Sequence, residues 1–238
     1  MMNIGEILSD AVAYPFNNIK ALIIYAILGI IASIAVGGSL FAILLSGKAI
    51  TNVFASVSGI VGFLIACIMF LLISGYELDI LKFSINRRSD APGIDPTRQV
   101  INAIKLIIVN VIYYLIPALF ALVLNFLLGN GILTKIIIAI IYFVFTFAQV
   151  MGKCRLAESD SLSSALSIGE AIGDLFKVGF LKLIVVLVAI VVFIVIIAVI
   201  ISLIAGLNSI IGSLLLGIFA VYAVFVINRA LGLLYSDA

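Results

Sequence analysis

The chain has 238 residues, of which 66 % are hydrophobic and 10 % charged, with a net charge of +2. Soluble domains carry about 25 % charged residues, so this composition excludes an ordinary water-soluble fold. Histidine and tryptophan are absent, which removes the commonest general base and metal ligand and leaves any aromatic belt to Tyr and Phe.

The first twenty residues set Glu6 and Asp10 against one lysine, Lys20, the wrong sign for a signal-peptide n-region. The uncharged stretch behind them, 21–47, is longer than an h-region of about 7–15 residues, so this segment is expected to stay in the mature protein. Ile4, Ile7, Leu8, Ala11 and Val12 recur at one-sided helical spacing behind a capping pair, Asn3 and Glu6. That pattern predicts an amphipathic interfacial helix over 3–16.

Charge-free runs then mark the membrane spans. The run Leu183–Ile204 is the clearest, with no charge and fifteen Ile or Val among twenty-two residues. Lone apolar strands rarely pass about 8 residues, whereas a bilayer core needs roughly 20 residues of helix. The same argument, with a turn signal at Gly206-Leu207-Asn208-Ser209, gives six spans at 21–45, 51–74, 103–128, 132–151, 182–205 and 209–231. A β-barrel is excluded, because no segment alternates apolar and polar residues over about 10 positions. The expected fold is an all-α integral membrane protein, six transmembrane helices as three hairpins in one polytopic domain, 1–238. Short amphipathic interfacial helices lie on its cytoplasmic side.

On the first two spans Gly29, Ser33 and Gly37 share a face, as do Ser58, Gly62 and Ala66. Small faces let helix backbones approach closely in lipid, so these two stripes are expected to meet. The loop at 77–105 carries Arg87, Arg88, Arg98 and Lys105. These are topology signals and candidate contacts to anionic lipid head groups. In the third span, Pro117 should kink the helix between Asn110 and Asn125. The three form a candidate polar intramembrane site, or else a structural kink with asparagines bonding a neighbouring helix.

Ile4-Gly5-Glu6-Ile7-Leu8-Ser9-Asp10 returns, shifted by 164 residues, as Ile168-Gly169-Glu170-Ala171-Ile172-Gly173-Asp174. The repeat predicts a second interfacial helix over about 161–177 with Ser167 and Glu170 as its capping pair and Ala171, Ile172, Leu175 and Phe176 on its stripe. Glu6, Asp10, Glu170 and Asp174 are expected to face water, since unpaired carboxylates are costly to bury. Ile190, on the fifth span, is expected to face mainly lipid.

Eleven Lys and Arg residues fall on the side of the termini and the two long loops, and two on the other side. The asymmetry predicts a multi-pass protein of the cell membrane with N- and C-termini cytoplasmic. Catalytic, cofactor and metal motifs are missing: the two cysteines, Cys67 and Cys154, make no ligand set, and no phosphate-binding glycine loop or nucleophile elbow occurs. The expectation is therefore a protein that is not an enzyme and holds no cofactor.

Three passages together resemble a known family. They are Met2-Asn3-Ile4-Gly5-Glu6 with Tyr14-Pro15-Phe16, then Gly75-Tyr76-Glu77-Leu78 leading to Asp90-Ala91-Pro92, and Arg155-Leu156-Ala157-Glu158 with Ile168-Gly169-Glu170-Ala171. They resemble an uncharacterised family of polytopic membrane proteins found mostly in methanogenic archaea, domain of unknown function 4013. Where that family reads acidic-Leu-Pro-acidic after the second span, Ala91 and Gly93 stand here instead of the Leu and second acid. The resemblance implies a membrane bundle and no established activity. A looser likeness, of architecture alone, is to the membrane domain of glycerophosphodiester phosphodiesterases. The leading expectation for function is a membrane-organising or scaffold protein with membrane lipids and a homo-oligomeric or membrane-protein partner, and no nucleic acid. The runner-up is a transporter or permease component for an apolar or lipid-like solute.

Overall fold

A computed structural model describes residues 2–46 and 53–237, and among these every regular element is a helix. A short helix α1 (Ile4–Asn17) leads into the hairpin α2 (Ile19–Ser46) and α3 (Val53–Ile85). A second hairpin follows, α4 (Pro96–Leu128) and α5 (Ile132–Ser159). Two short helices, α6 (Leu162–Ala165) and α7 (Ile168–Val178), precede the third hairpin, α8 (Phe180–Leu207) and α9 (Ser209–Tyr235). Six helices, α2–α5, α8 and α9, are long and apolar enough to cross a membrane. The chain is an α-helical, multi-pass membrane protein.

Local chemistry sets the helix starts. Asn3 Oδ1 accepts the Glu6 amide and Glu6 returns the bond to the Asn3 amide, both at 2.8 Å, closing a capping box on α1. Asp95 caps α4 ahead of Pro96, and Asn208 accepts the amides of Ile210 and Ile211 at the turn into α9. The repeat is only partly equivalent here. Ser167 makes no capping bond, and the helix expected over 161–177 breaks at Leu166 and Ser167 into α6 and α7. Gly179, at φ +89°, turns the chain from α7 into α8, a conformation that a side chain resists.

Helices α3 and α4 each have 33 residues, about 50 Å of helix against a hydrocarbon core of about 30 Å. The charged stretches 77–85, 96–102 and 153–159 lie outside the spans expected from the sequence. They are helix as well, extending the spans past the bilayer at one end of the molecule. That end, where Met2 and Asp237 meet, is the charged end.

Burial is concentrated there. The buried residues of α4 all lie between Gln99 and Pro117, and those of α5, Thr134 apart, between Ala148 and Ala157. On α9 the residues from Val221 to Tyr235 are mostly buried. A cluster of Tyr14, Tyr25, Tyr76 and Phe225 anchors this core, with Tyr25 and Tyr76 stacked at 3.9 Å. At the far end Phe126, Ile132, Leu207 and Ile210 are exposed, as side chains meant for lipid should be. Ile190 departs from expectation and is buried.

The last helix closes the bundle: α9 packs on α1, α2, α3 and α8. Gly29 and Gly217 let α2 and α9 touch backbone to backbone; a Cβ on Gly29 would lie 2.4 Å from the Gly217 carbonyl oxygen. Ser33 Oγ also donates to Ser213 O at 3.2 Å. The small face of α2 thus has its close partner on α9, across the chain, although α2 and α3 pack along their length as well. Gly37 and Ser58 lie outside the residues whose side chains are described. Gly29→Leu should therefore destabilise the bundle by about 1–3 kcal/mol through overpacking. Gly173→Ala, where nothing lies within 4 Å of the new methyl, should leave it nearly unchanged. Thermal melting of both variants in detergent is the check.

Candidate functional site: the ion-paired end of the bundle

All eleven acidic residues of the chain lie at the charged end, facing eleven of its thirteen basic residues. The excess charge of the molecule therefore comes from Lys135, at the other end, and from Lys48, which lies outside the described residues. Charges in the partly dehydrated end of a bundle need partners, and the helices supply them in a recurring way.

Three pairs each join one hairpin to its neighbour. Asp10 on α1 receives Arg229 of α9, with Nε to Oδ1 at 2.6 Å and a second bond at 3.1 Å. Arg229 is 2 % exposed, lies over the Tyr14 ring and also donates to the Arg88 carbonyl. Asp174 on α7 receives Arg155 of α5 at 2.8 Å, Lys177 at 2.6 Å and a longer bond from the Tyr235 hydroxyl. Glu170 takes the other Arg155 nitrogen. In the third pair the signs are exchanged: Asp79 on α3 receives Arg98 of α4 at 3.0 Å and Asn102 at 2.9 Å. Arg229, Arg155 and Asp79 occupy matching places, within two turns of the end of α9, α5 and α3. Asp10 and Asp174 are the matching residues of the internal repeat.

A fourth junction gathers the ends of the described chain. Asp237, its side chain 1 % exposed, accepts the Met2 amide, Lys182 at 2.7 Å and Arg87 at 2.6 Å. Lys182 also donates to the Met2 carbonyl. Between the ends of α3, α5, α7 and α9 lies a polar cavity of about 450 Å³ walled by Arg155, Glu158, Asp174, Lys177 and Tyr235. Asp174 is paired there with Arg155 and Lys177, and Glu158 accepts a hydrogen bond from the Tyr235 hydroxyl. Among the described residues no group of three His, Cys, Asp or Glu could hold a metal ion.

The residues singled out from the sequence fall differently. Arg87, Arg88, Arg98 and Lys105 each hold an acid of the same chain: Asp237, Asp90, Asp79 and Asp160. Asn110 Oδ1 accepts Gln149 Nε2 at 2.8 Å, joining α4 to α5. Asn125 stands fifteen residues further on, about 22 Å along the helix, with Pro117 buried between them. The structure does not gather these three into one site. Asp174, expected in water, is 3 % exposed, and Asp10 is held by a buried arginine. Phe176, expected on the apolar stripe, is 75 % exposed. What the sequence reading missed is the set of partners Arg155, Arg229 and Asp237. The repeated aspartates were the available signal, since an arginine on another helix pairs with each.

Burial alone would raise the Asp174 carboxyl, but the Lys177 ammonium and Arg155 guanidinium more than reverse that and hold it below the usual carboxylate range. A carboxylate depressed in the folded state stabilises the fold above its unfolded value of about 3.9, and that stability is lost as pH falls through the lower folded value. Asp174→Asn should thus cost about 1.5–3 kcal/mol near neutrality. The difference from wild type should shrink as the pH approaches 3, while Glu170→Gln, at a 63 % exposed side chain, should change little. Melting curves of the three proteins between pH 3 and 7 give the comparison.

Comparison with curated proteins and with solved structures gave no match. A family model described as a protein of unknown function (DUF4013) matches residues 60–206, more than half of the chain. The matched stretch holds the Asp79–Arg98 and Asp174–Arg155 pairs, together with the second hairpin they enclose. The chain belongs to the DUF4013 family.

Proposed function

We propose that the protein is a non-enzymatic scaffold of the cell membrane, its charged end and both termini cytoplasmic, that organises lipids or neighbouring membrane proteins around its apolar hairpins. One observation carries this reading: every acid, most of the basic residues and most of the burial lie toward one end, while the far halves of the helices present many exposed apolar side chains. A packed, ion-paired base holds the hairpins in place and leaves their outer surfaces to lipid or to partner helices.

The orientation is supported by the basic asymmetry, because insertion reads Lys and Arg and takes little account of Asp and Glu. Eleven of thirteen basic residues lie at the charged end even though its net charge is zero. A scaffold role is also supported by the carboxylates Asp10, Asp79, Asp174 and Asp237, each held by an arginine or lysine of the same chain, whereas a catalytic group needs a free acid, base or nucleophile beside a substrate. Short helices α1 and α7 fit this reading as clamps at the interface, since Ile7 and Ala11 pack inward toward α9 and Ala171 and Leu175 toward α5 and α8.

The runner-up, a permease component for an apolar or lipid-like solute, makes the opposite forecast in a reconstituted bilayer. Vesicles containing the protein should keep their inner-leaflet fluorescent lipid protected from a membrane-impermeant quencher added outside. Loss of that protection, relative to vesicles without protein, would replace the scaffold by the permease.

A further inference from the structure

A second cavity lies in the apolar part of the bundle, between α2, α3 and α9, with a volume of about 420 Å³. Gly29 and Gly217, where α2 and α9 touch, stand in its wall with Ala32, Ile73 and Val224. It is a groove open to the side, because Leu216 and Phe70 on its rim are each 52 % exposed. Its lining on α9 runs from Ser213 to Val224, about 16 Å at 1.5 Å per residue. One leaflet of a hydrocarbon core of about 30 Å is about 15 Å deep.

The end of the groove nearest the charged end holds Glu77. Glu77 Oε1 accepts Lys153 Nζ of α5 at 3.3 Å, and the two side chains are 20 % and 23 % exposed. If about 20 residues of α3 from its far end fill the hydrocarbon core, Glu77 falls at the level of the lipid head groups. The groove thus begins where head groups lie, ends near the middle of the bilayer, and opens toward lipid. The Glu77 carboxylate lines its polar end, and the Lys153 ammonium stands 3.3 Å from that carboxylate.

We propose that this groove holds one acyl chain of a zwitterionic, amine-bearing phospholipid from the leaflet on the charged side. The lipid amine meets the Glu77 carboxylate, and its phosphate meets the Lys153 ammonium. Charge complementarity selects this occupant: an anionic lipid without an amine would bring its phosphate to Lys153 but leave Glu77 facing further negative charge. The site rests on the membrane-spanning character of α2, α3 and α9 and is independent of the scaffold role, so the quenching result above leaves it standing or falling on its own test.

The test is native mass spectrometry of the full chain released from micelles carrying equal amounts of phosphatidylethanolamine and phosphatidylglycerol. The wild type should retain a single phosphatidylethanolamine, preferred by about tenfold, the effect of one charge-assisted contact. Ala220→Phe fills the groove from its exposed rim and should cut the retained lipid about tenfold. Val192→Phe makes a similar enlargement on the exposed face of α8 and should not. Glu77→Gln keeps the shape of the groove and should abolish the preference while sparing retention. Equal retention by the Ala220→Phe and Val192→Phe proteins, a preference for phosphatidylglycerol in the wild type, or an unchanged preference in Glu77→Gln would each overturn the proposal.

Discussion

The fold depends on how the charged end neutralises itself. Helices that enter a bilayer carry no charge in their cores, so every acid of this chain is crowded into one end, at the same level as most of its basic residues. An isolated charge in such a setting costs several kcal/mol, and the attraction between partners recovers this only when further hydrogen bonds complete the site. Arg229 illustrates the solution with a bidentate bond to Asp10, a bond to the Arg88 carbonyl and the face of Tyr14 beneath it. Because the partners sit on different hairpins, satisfying the charges also fixes the hairpins relative to one another.

The three pairs describe an approximate cycle. The helix before the first hairpin clasps the third through Asp10–Arg229, and the helix before the third clasps the second through Asp174–Arg155. The opening turns of the second hairpin clasp the first through Asp79–Arg98, with acid and base exchanged. That exchange points to opposite charge, more than one particular order of it, as what the junction needs. Beyond the base the first and third hairpins still meet at Gly29 and Gly217, whereas on α4 burial stops at Pro117. In the scaffold proposed above, the base would hold the apolar arms against surrounding lipid, and the groove beside Glu77 is where the proposed lipid would sit.

Much of this was legible in the sequence and some was not, for definite reasons. The six spans could be read because a charge-free run of about 20 residues matches the thickness of a bilayer core and exceeds what a water-soluble helix leaves uncharged. Asn3 with Glu6 announced a helix start that the structure shows. The helical ends at 77–85 and 153–159 read as loops, because charge marks where a helix leaves lipid and not where it stops. Asp174 read as solvent-facing because its partner Arg155 lies nineteen residues away on another helix, and pairing across helices leaves no trace in spacing. Likewise the small stripe of α2 could be recognised, but its partner, Gly217 on the last helix, could not be chosen over the adjacent helix from local pattern.

If complementary charge between hairpins holds the base together whatever its order, the partners at Asp10 and Arg229 can be exchanged. The measurement is the melting temperature of Asp10→Arg, Arg229→Asp and the double variant. Each single change should be severely destabilising, since it sets like charges against each other beside a buried site. The double variant should recover at least about half of the loss, the signature of a direct coupling in a double-mutant cycle. A double variant no more stable than the worse single one would contradict a base held by charge pairing.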